Sequence, residues 1–296
     1  MPHKYHNLLD TTIGTGGHSL LFLDEIPNLK ISGIDSDSRM IERLQNKIKA
    51  GEFPESVSHR LELKTANFMD IPEILGDFNF PEFSKEGLPQ YDIIFSDLGY
   101  NSLQLENPEY GLKYSDQGTL DMRYSKDGKV LAKDLLNNLD FIRLDAIFKG
   151  FGEEPRSSEI AHAIISHREK TLFETNSDLK TVLDNLSGNS NYQTLKRVFQ
   201  ALRIAVNQEL HALEKFTKIV TKILKPNGIL IYLTFHSLES TIVLGNITKE
   251  FLTIAKSKPT DDEIRLNPRS KSATLIAFKK KKTQSAYLDL KRRTPI

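Results

Sequence analysis

The feature that most constrains this chain is a glycine-rich turn, Asp10-Thr11-Thr12-Ile13-Gly14-Thr15-Gly16-Gly17-His18-Ser19. It lies between the apolar pair Leu8-Leu9 and the helical stretch Leu20-Leu21-Phe22-Leu23. Gly14, Gly16 and Gly17 have no side chains to hold a ligand away from the backbone, and a helix start offers free amides, so the turn suits a nucleotide-like group. A tight turn that needs positive φ angles would have the same composition, so both readings are open. The spacing departs from G-x-G-x-x-G and has no Walker lysine, which argues against a dinucleotide site and a triphosphate loop.

The next strand, Leu29 to Ile34 with alternating apolar side chains, ends in Asp35, where an acid can accept hydrogen bonds from both hydroxyls of a ribose. Alternatively, Asp35 or Asp37 caps the helix that begins near Ser38. Leu61 to Lys64 reads as a third strand and Tyr91 to Phe95 as a buried parallel strand running into Ser96-Asp97. Asp97 stands before a glycine turn, where a sheet enzyme places a polar group over its ligand or where an acid caps the turn.

From Asn107 to about Asn191 the pattern becomes helical, with segments at Val130 to Leu136, Phe141 to Phe148, Ser157 to His167 and Asp178 to Leu186. A long amphipathic pattern, Val198 to Leu224, stops at Lys225-Pro226-Asn227-Gly228. Ile229 to Phe235 and Thr274 to Phe278 read as two further strands. The expectation is an α/β chain with a twisted, mostly parallel sheet formed by residues 1–106 and 192–296. Residues 107–191 would form a helical insert that recognises substrate.

With 296 residues there is room for one large domain carrying an insertion. The 40 Lys and Arg balance 39 Asp and Glu, so affinity for a polyanion must come from local clusters. Lys196-Arg197, Arg203, Arg265, Arg269, Lys271 and the run Lys279 to Lys282 are the candidates, although a charge run also serves as a solvated face. The absence of Cys excludes disulfides, Cys-ligated metal centres and a thiol nucleophile. No close pair of metal-type ligands shares a helix, so no metal is assigned. Neither a membrane segment nor a secretion signal is visible, which leads us to expect a cytoplasmic protein, or a mitochondrial matrix protein in a eukaryote.

In order along the chain come DTTIGTGGHS, GIDSDS, SDLGYNSLQL, GTLDMRY, FGEE, VFQALRIAVNQEL, LKPNGILIYLTFHSLES and NPRSKSA. Together they resemble the ribosomal RNA small-subunit methyltransferase H (MraW) family over nearly the whole chain. The resemblance implies a Rossmann-like class I methyltransferase sheet with an inserted all-helical domain. It also implies S-adenosylmethionine as cofactor and, as substrate, the exocyclic amine of a cytidine in the decoding region of small-subunit rRNA. By that resemblance Gly16, Gly17 and His18 line the methionine and ribose side of the cofactor, and Asp35 holds the ribose hydroxyls. Phe68 lies against adenine, or packs in the core, while Asp97 and Gln104 contact the cofactor.

A poorly nucleophilic exocyclic amine needs an acceptor near its hydrogens, and Asp97 or the loop through Asn101 can supply it. The flipped base would meet His236, Ser237 and Glu239, with His236 equally able to serve as a structural histidine. The expected partner is rRNA or an assembling small subunit, and a homo-oligomer is compatible with the sequence. Three departures stand out from the family pattern. The segment before the first strand is short, keeping His3 and His6; Ser157-Ser158-Glu159-Ile160-Ala161 replaces a basic stretch after the Gly-Glu-Glu motif; and Ser240 and Thr241 stand where an acid and Arg usually follow FHSLE. Two other readings stay open: another amine substrate on the same fold, or an assembly factor impaired in catalysis.

Overall fold

A computed structural model of the chain describes residues 5–114, 118–187, 192–247 and 250–282; His3 lies outside them. It divides into two compact units, one formed by residues up to Leu98 and from Ala212 on, the other spanning Gly99–His211.

The first unit is built on one sheet. Its strands are β1 (Asn7–Asp10), β2 (Lys30–Asp35), β3 (Leu61–Thr65), β4 (Glu82–Phe83), β5 (Pro89–Asp97), β6 (Leu224–Thr234), β7 (Phe251–Ser257) and β8 (Thr274–Lys280). The spatial order is β3-β2-β1-β5-β6-β8-β7, with the short β4 paired to β5. β3, β2, β1, β5 and β6 run parallel, whereas β8 is antiparallel to β6 and to β7. Parallel strands need crossovers, which explains why helices follow them: α1 (Gly17–Glu25) after β1 and α2 (Ser38–Lys49) after β2. Strand side chains alternate between faces, so neighbouring residues feed different cores. Leu8, Ile31, Ile93 and Phe95 pack with Leu23 of α1 and with Ile41 and Leu44 of α2. Leu9, Ile34, Ile94 and Leu230 pack instead with Leu213, Phe216 and Val220. The sheet is thereby covered on both faces, as its continuous apolar runs require.

The second unit holds α3 (Ser102–Glu106), α4 (Ala132–Asn138), α5 (Phe141–Gly152), α6 (Ser157–Arg168), α7 (Asn176–Ser187) and α8 (Tyr192–Asn207). Its core joins Leu136, Leu144, Phe148, Ile160, Ile164, Leu179, Val198 and Leu202. The unit starts at Gly99, whereas the sequence pattern turns helical at residue 107, and it includes α8, which the sequence reading gives to the sheet-forming part. The reason is packing, since Val198, Ala201 and Leu202 of α8 belong to the helical core.

The expected single helix from Val198 to Leu224 is two helices, α8 and α9 (Glu209–Ile223), separated at Gln208, whose φ of 50° breaks the right-handed run. The stop signal at Lys225 to Gly228 is not a loop but the irregular start of β6, where Asn227 has φ 63° and the register against β5 slips between Tyr91 and Ile93.

Gly152 shows how closely α5 and α8 approach. A Cβ there would lie 2.7 Å from the Arg197 carbonyl oxygen and 3.2 Å from Ala201 Cβ. Because the nearest atom is backbone, relief requires the helices to separate. Gly152→Ala is expected to cost about 1–3 kcal/mol. Denaturant unfolding followed by circular dichroism measures it, and an unchanged midpoint would contradict the packing described here.

Candidate active site

The strand order reverses between β1 and β5, and in such sheets ligands bind beyond the carboxyl ends of the strands at that point. Two threonines tie the ends together. Thr11 Oγ1 lies 2.6 Å from Ser96 Oγ, and its backbone N–H donates to the Phe95 carbonyl at 3.0 Å. Thr12 Oγ1 accepts from the Asp97 N–H at 2.7 Å. The turn that follows bends through Gly14 (φ 50°) and Gly16 (φ 85°), and a Cβ on Gly16 would reach to 2.9 Å from Leu44 Cδ2. Gly17 opens α1 and is different. A Cβ built there meets nothing within 4 Å, so its bare backbone faces open space. A positive-φ turn and an exposed glycine cradle thus coexist, and the two readings of this motif apply to different glycines.

Three acids end three adjacent strands. Asp10, almost fully buried, accepts from Ser19 Oγ at 2.6 Å and from the Thr12 N–H at 3.1 Å, which fixes the first turn of α1 to β1. Burial pushes its pKa up to about 7, against those hydrogen bonds. The sequence reading assigned Asp10 no role, although its position, an acid closing a buried strand, matches that of Asp35 and Asp97. Asp35 accepts from the Gly14 N–H at 2.8 Å through one oxygen and from the Asp37 N–H at 2.9 Å through the other. Burial raises its pKa to about 6. The helix cap is Asp37, which accepts from the Arg39 N–H at 3.2 Å and from its Nε at 3.0 Å. Asp35 is left to shape the glycine turn, and each of its oxygens retains a second lone pair.

Asp97 is the least satisfied of the three. Its Oδ2 lies 3.5 Å from His18 Nδ1, while its Oδ1 is buried with no hydrogen-bond partner among the described residues. Burial, followed by the negative charge of Glu239, pushes its pKa up to about 7. His18 is half exposed and rests its ring 5.0 Å from Phe95. Glu239, itself buried, accepts from the Phe235 and His236 N–H groups at 2.7 and 3.3 Å at the start of α10 (Ser237–Asn246). Its Oε1 is 3.2 Å from His236 Nε2. His236 is nearly enclosed, yet Nδ1 has no hydrogen-bond partner among the described residues. Ser237 is exposed. Asp97, His18, His236 and Glu239 therefore all stand at the carboxyl ends of β5 and β6 or on the helix facing them, within the first unit.

Phe68 follows β3 in a short turn begun by Asn67 and lies half-buried with its ring 5.6 Å from Phe216, at the rim of the core. Asn101 and Gln104 belong to the second unit, where each caps the other across the first turn of α3: Asn101 N–H to Gln104 Oε1 and Gln104 N–H to Asn101 Oδ1, both 3.0 Å.

Several cations expected to meet RNA are occupied. The buried Arg203 guanidinium makes a bidentate pair with Glu209 at 2.8 and 3.0 Å. Lys280, within the basic run, turns inward and donates to the carbonyls of Thr221 and Leu224. Arg265 pairs with Asp262, and Arg197 lies 3.7 Å from the buried Glu154. Lys196 and Lys271 stay exposed.

The raised acids make stability depend on pH in a direction opposite to the usual salt-bridged carboxylate. The folded chain holds their protons up to about pH 6 to 7, whereas the unfolded chain releases them near 4, so stability is lost as pH rises through that window. Asp97→Asn is expected to flatten part of this loss. Thermal melts of both proteins between pH 5 and pH 8 test it, and parallel curves would show that Asp97 ionises as freely as in the unfolded chain.

A sequence profile of the MraW methylase family matches residues 1–250. A protein of Nostoc sp. called ribosomal RNA small subunit methyltransferase H is 36% identical over 284 residues, 93% of this chain and 87% of that one. The protein of the same name from Mesomycoplasma hyopneumoniae is 35% identical over 285 residues, 90% of each chain. In fold, a candidate methyltransferase of Streptococcus mutans solved in complex with SAH aligns over 94% of this chain and 90% of its own, at 10% identity and a TM-score of 0.41. Family profile and full-length relatives agree: the chain belongs to the MraW methylase family.

Proposed function

We propose that the chain transfers a methyl group from S-adenosylmethionine to the exocyclic N4 amine of a cytidine in the decoding region of small-subunit ribosomal RNA. Methyl transfer follows from the family, and the rRNA substrate from what its full-length relatives are called. The observation that carries the amine is the buried Oδ1 of Asp97 at the switch point of the sheet, which has no hydrogen-bond partner among the described residues.

The residues fit the cofactor. The open backbone at Gly17 leaves room that a side chain would take, and the strand-end acids favour a cation. Gly16, Gly17 and His18 line its methionine and ribose side, Asp35 offers free lone pairs to the ribose hydroxyls, and the half-buried ring of Phe68 lies against adenine. Gln104 is read as a cofactor contact by family resemblance alone, and Asn101 as a substrate contact from its place in the loop that follows Asp97. When bound, S-adenosylmethionine supplies a methyl group on a positively charged sulfur. The protein needs no covalent nucleophile; it has to align the amine and exclude water.

A cytosine amine has its lone pair conjugated with the ring. Asp97 Oδ1 accepts one of its hydrogens, raises its electron density, and takes the proton that nitrogen sheds as it gains carbon. His18, 3.5 Å from the other oxygen, is placed to relay that proton outward. His236, Ser237 and Glu239 contact the base edge, and the helical unit recognises the surrounding RNA.

Two measurements test this reading. Gly17→Ala should fold at least as well as the parent, because Ala favours a helix over Gly by up to about 1 kcal/mol. It should nonetheless lose tenfold or more in affinity for S-adenosylmethionine by calorimetry, and Asp35→Ala should lose saturable heat altogether. Unaltered binding in both would place the cofactor elsewhere. For the substrate, mass spectrometry of rRNA from a deletion strain should show one cytidine methyl missing from the decoding region, restored by the wild-type gene and not by Asp97→Asn. An intact methylation pattern in the deletion strain would overturn the rRNA assignment.

A further inference from the structure

Within the helical unit, aromatic rings lie along α8, from Tyr192 at its start to Tyr100 beside Arg203 near its end, in a way the methyl-transfer chemistry does not use. Tyr192 is 57% exposed and Tyr100 37% exposed. Tyr114 connects the cluster, meeting Tyr192 edge-on at 5.8 Å and Phe199 at 6.0 Å. Its phenol is raised above the ordinary tyrosine range, first by a hydrogen bond to Tyr192, then by burial and by the Tyr192 and Tyr100 phenols nearby. Tyr100 lies with its ring 5.1 Å from the Arg203 guanidinium carbon. Glu209 holds that guanidinium through two nitrogens, so Tyr100 rests on a fixed plane. Large apolar rings normally turn inward, and exposed ones anchored from below are a surface for something flat.

The charge around them selects the partner. Tyr192, Lys196, Phe199 and Arg203 follow at positions i, i+4, i+7 and i+11 of α8, one face of the helix. Lys196 is exposed with no partner among the described residues, and Lys113 adjoins Tyr114 in the chain with its ammonium likewise unpaired among them. Arg203 cannot serve as a phosphate clamp, because Glu209 neutralises it, which leaves Lys113 and Lys196 as the cations beside the rings.

Resting on the RNA reading above, we propose that Tyr100, Tyr114 and Tyr192 form a stacking platform for unpaired nucleobases of the RNA substrate, with Lys113 and Lys196 on its phosphates. Sequence-tolerant stacking of this kind is worth about 1–3 kcal/mol per base, or roughly 5- to 150-fold in affinity.

The chain contains no Trp, so Tyr192→Trp introduces a single indole at the platform. A ten-residue oligocytidylate should quench its fluorescence, and an abasic oligomer of equal length and charge should not. Tyr192→Ala and Tyr100→Ala should each weaken oligocytidylate binding about tenfold without shifting the melting temperature, and Tyr192→Phe should bind like wild type. If wild type binds the oligocytidylate but the alanine variants match it, or if the abasic oligomer binds as tightly, the platform is refuted and this surface belongs to a protein partner. If wild type binds no RNA of any kind, the RNA reading itself falls, and the platform with it.

Discussion

Carboxylates closing three neighbouring parallel strands, held where water is scarce, set the terms for everything around them. Asp10 and Asp35 are tolerated because each takes two hydrogen bonds, and those bonds shape the turn from β1 to α1: Asp10 fastens Ser19, and Asp35 fastens Gly14. Asp97 has no comparable support. Its backbone N–H is tied to Thr12, but one carboxylate oxygen has no hydrogen-bond partner among the described residues, and the neighbouring Glu239 makes ionisation still harder. A positive ligand relieves what the fold leaves uncompensated. The same groups that cost the fold stability at neutral pH are the ones that favour a cation beside them.

The helical unit is organised by a different network, and residues of its most recognisable motifs serve it. Arg203, Asn207 and Glu209 of the VFQALRIAVNQEL segment converge on the chain at Met122 to Tyr124. Asn207 bonds the Met122 carbonyl and the Tyr124 N–H, each at 2.8 Å, and Glu209 accepts from the Tyr124 hydroxyl at 2.9 Å. Met122 has φ 64°, an unfavourable region for its side chain, and this network together with the Asp121–Arg123 fork holds it there. A motif that looks suited to RNA because it contains arginine therefore acts first as internal structure.

Much of the sheet was legible because parallel strands buried on both faces read as apolar runs, as β1, β5 and β6 do, while β2 shows itself by alternating apolar side chains. β7 was not, although Phe251-Leu252-Thr253-Ile254 is strand-forming in composition: as the sheet's edge it exposes Leu252 to Ser257 and so lacks the buried run that marks the other strands. The break at Gln208 was equally hidden, for a single left-handed residue leaves the helical period of its flanks intact. Position at a strand end singles out Asp35 and Asp97 as candidates, and Asp10 shares that position without having been singled out. Arg203 and Lys280 stand among the candidate RNA contacts in the sequence because their internal partners lie in no local pattern.

By itself the sequence determined the order of elements, the glycine turn and the acids at the strand ends, all of which follow from local periodicity and chain spacing. Only the tertiary structure decided which of those acids are desolvated and which cations are spent internally. Burial and pairing depend on groups far apart in the chain, as when the Lys280 ammonium meets the Leu224 carbonyl or the Asp97 amide meets the Thr12 hydroxyl, and no local pattern encodes such meetings.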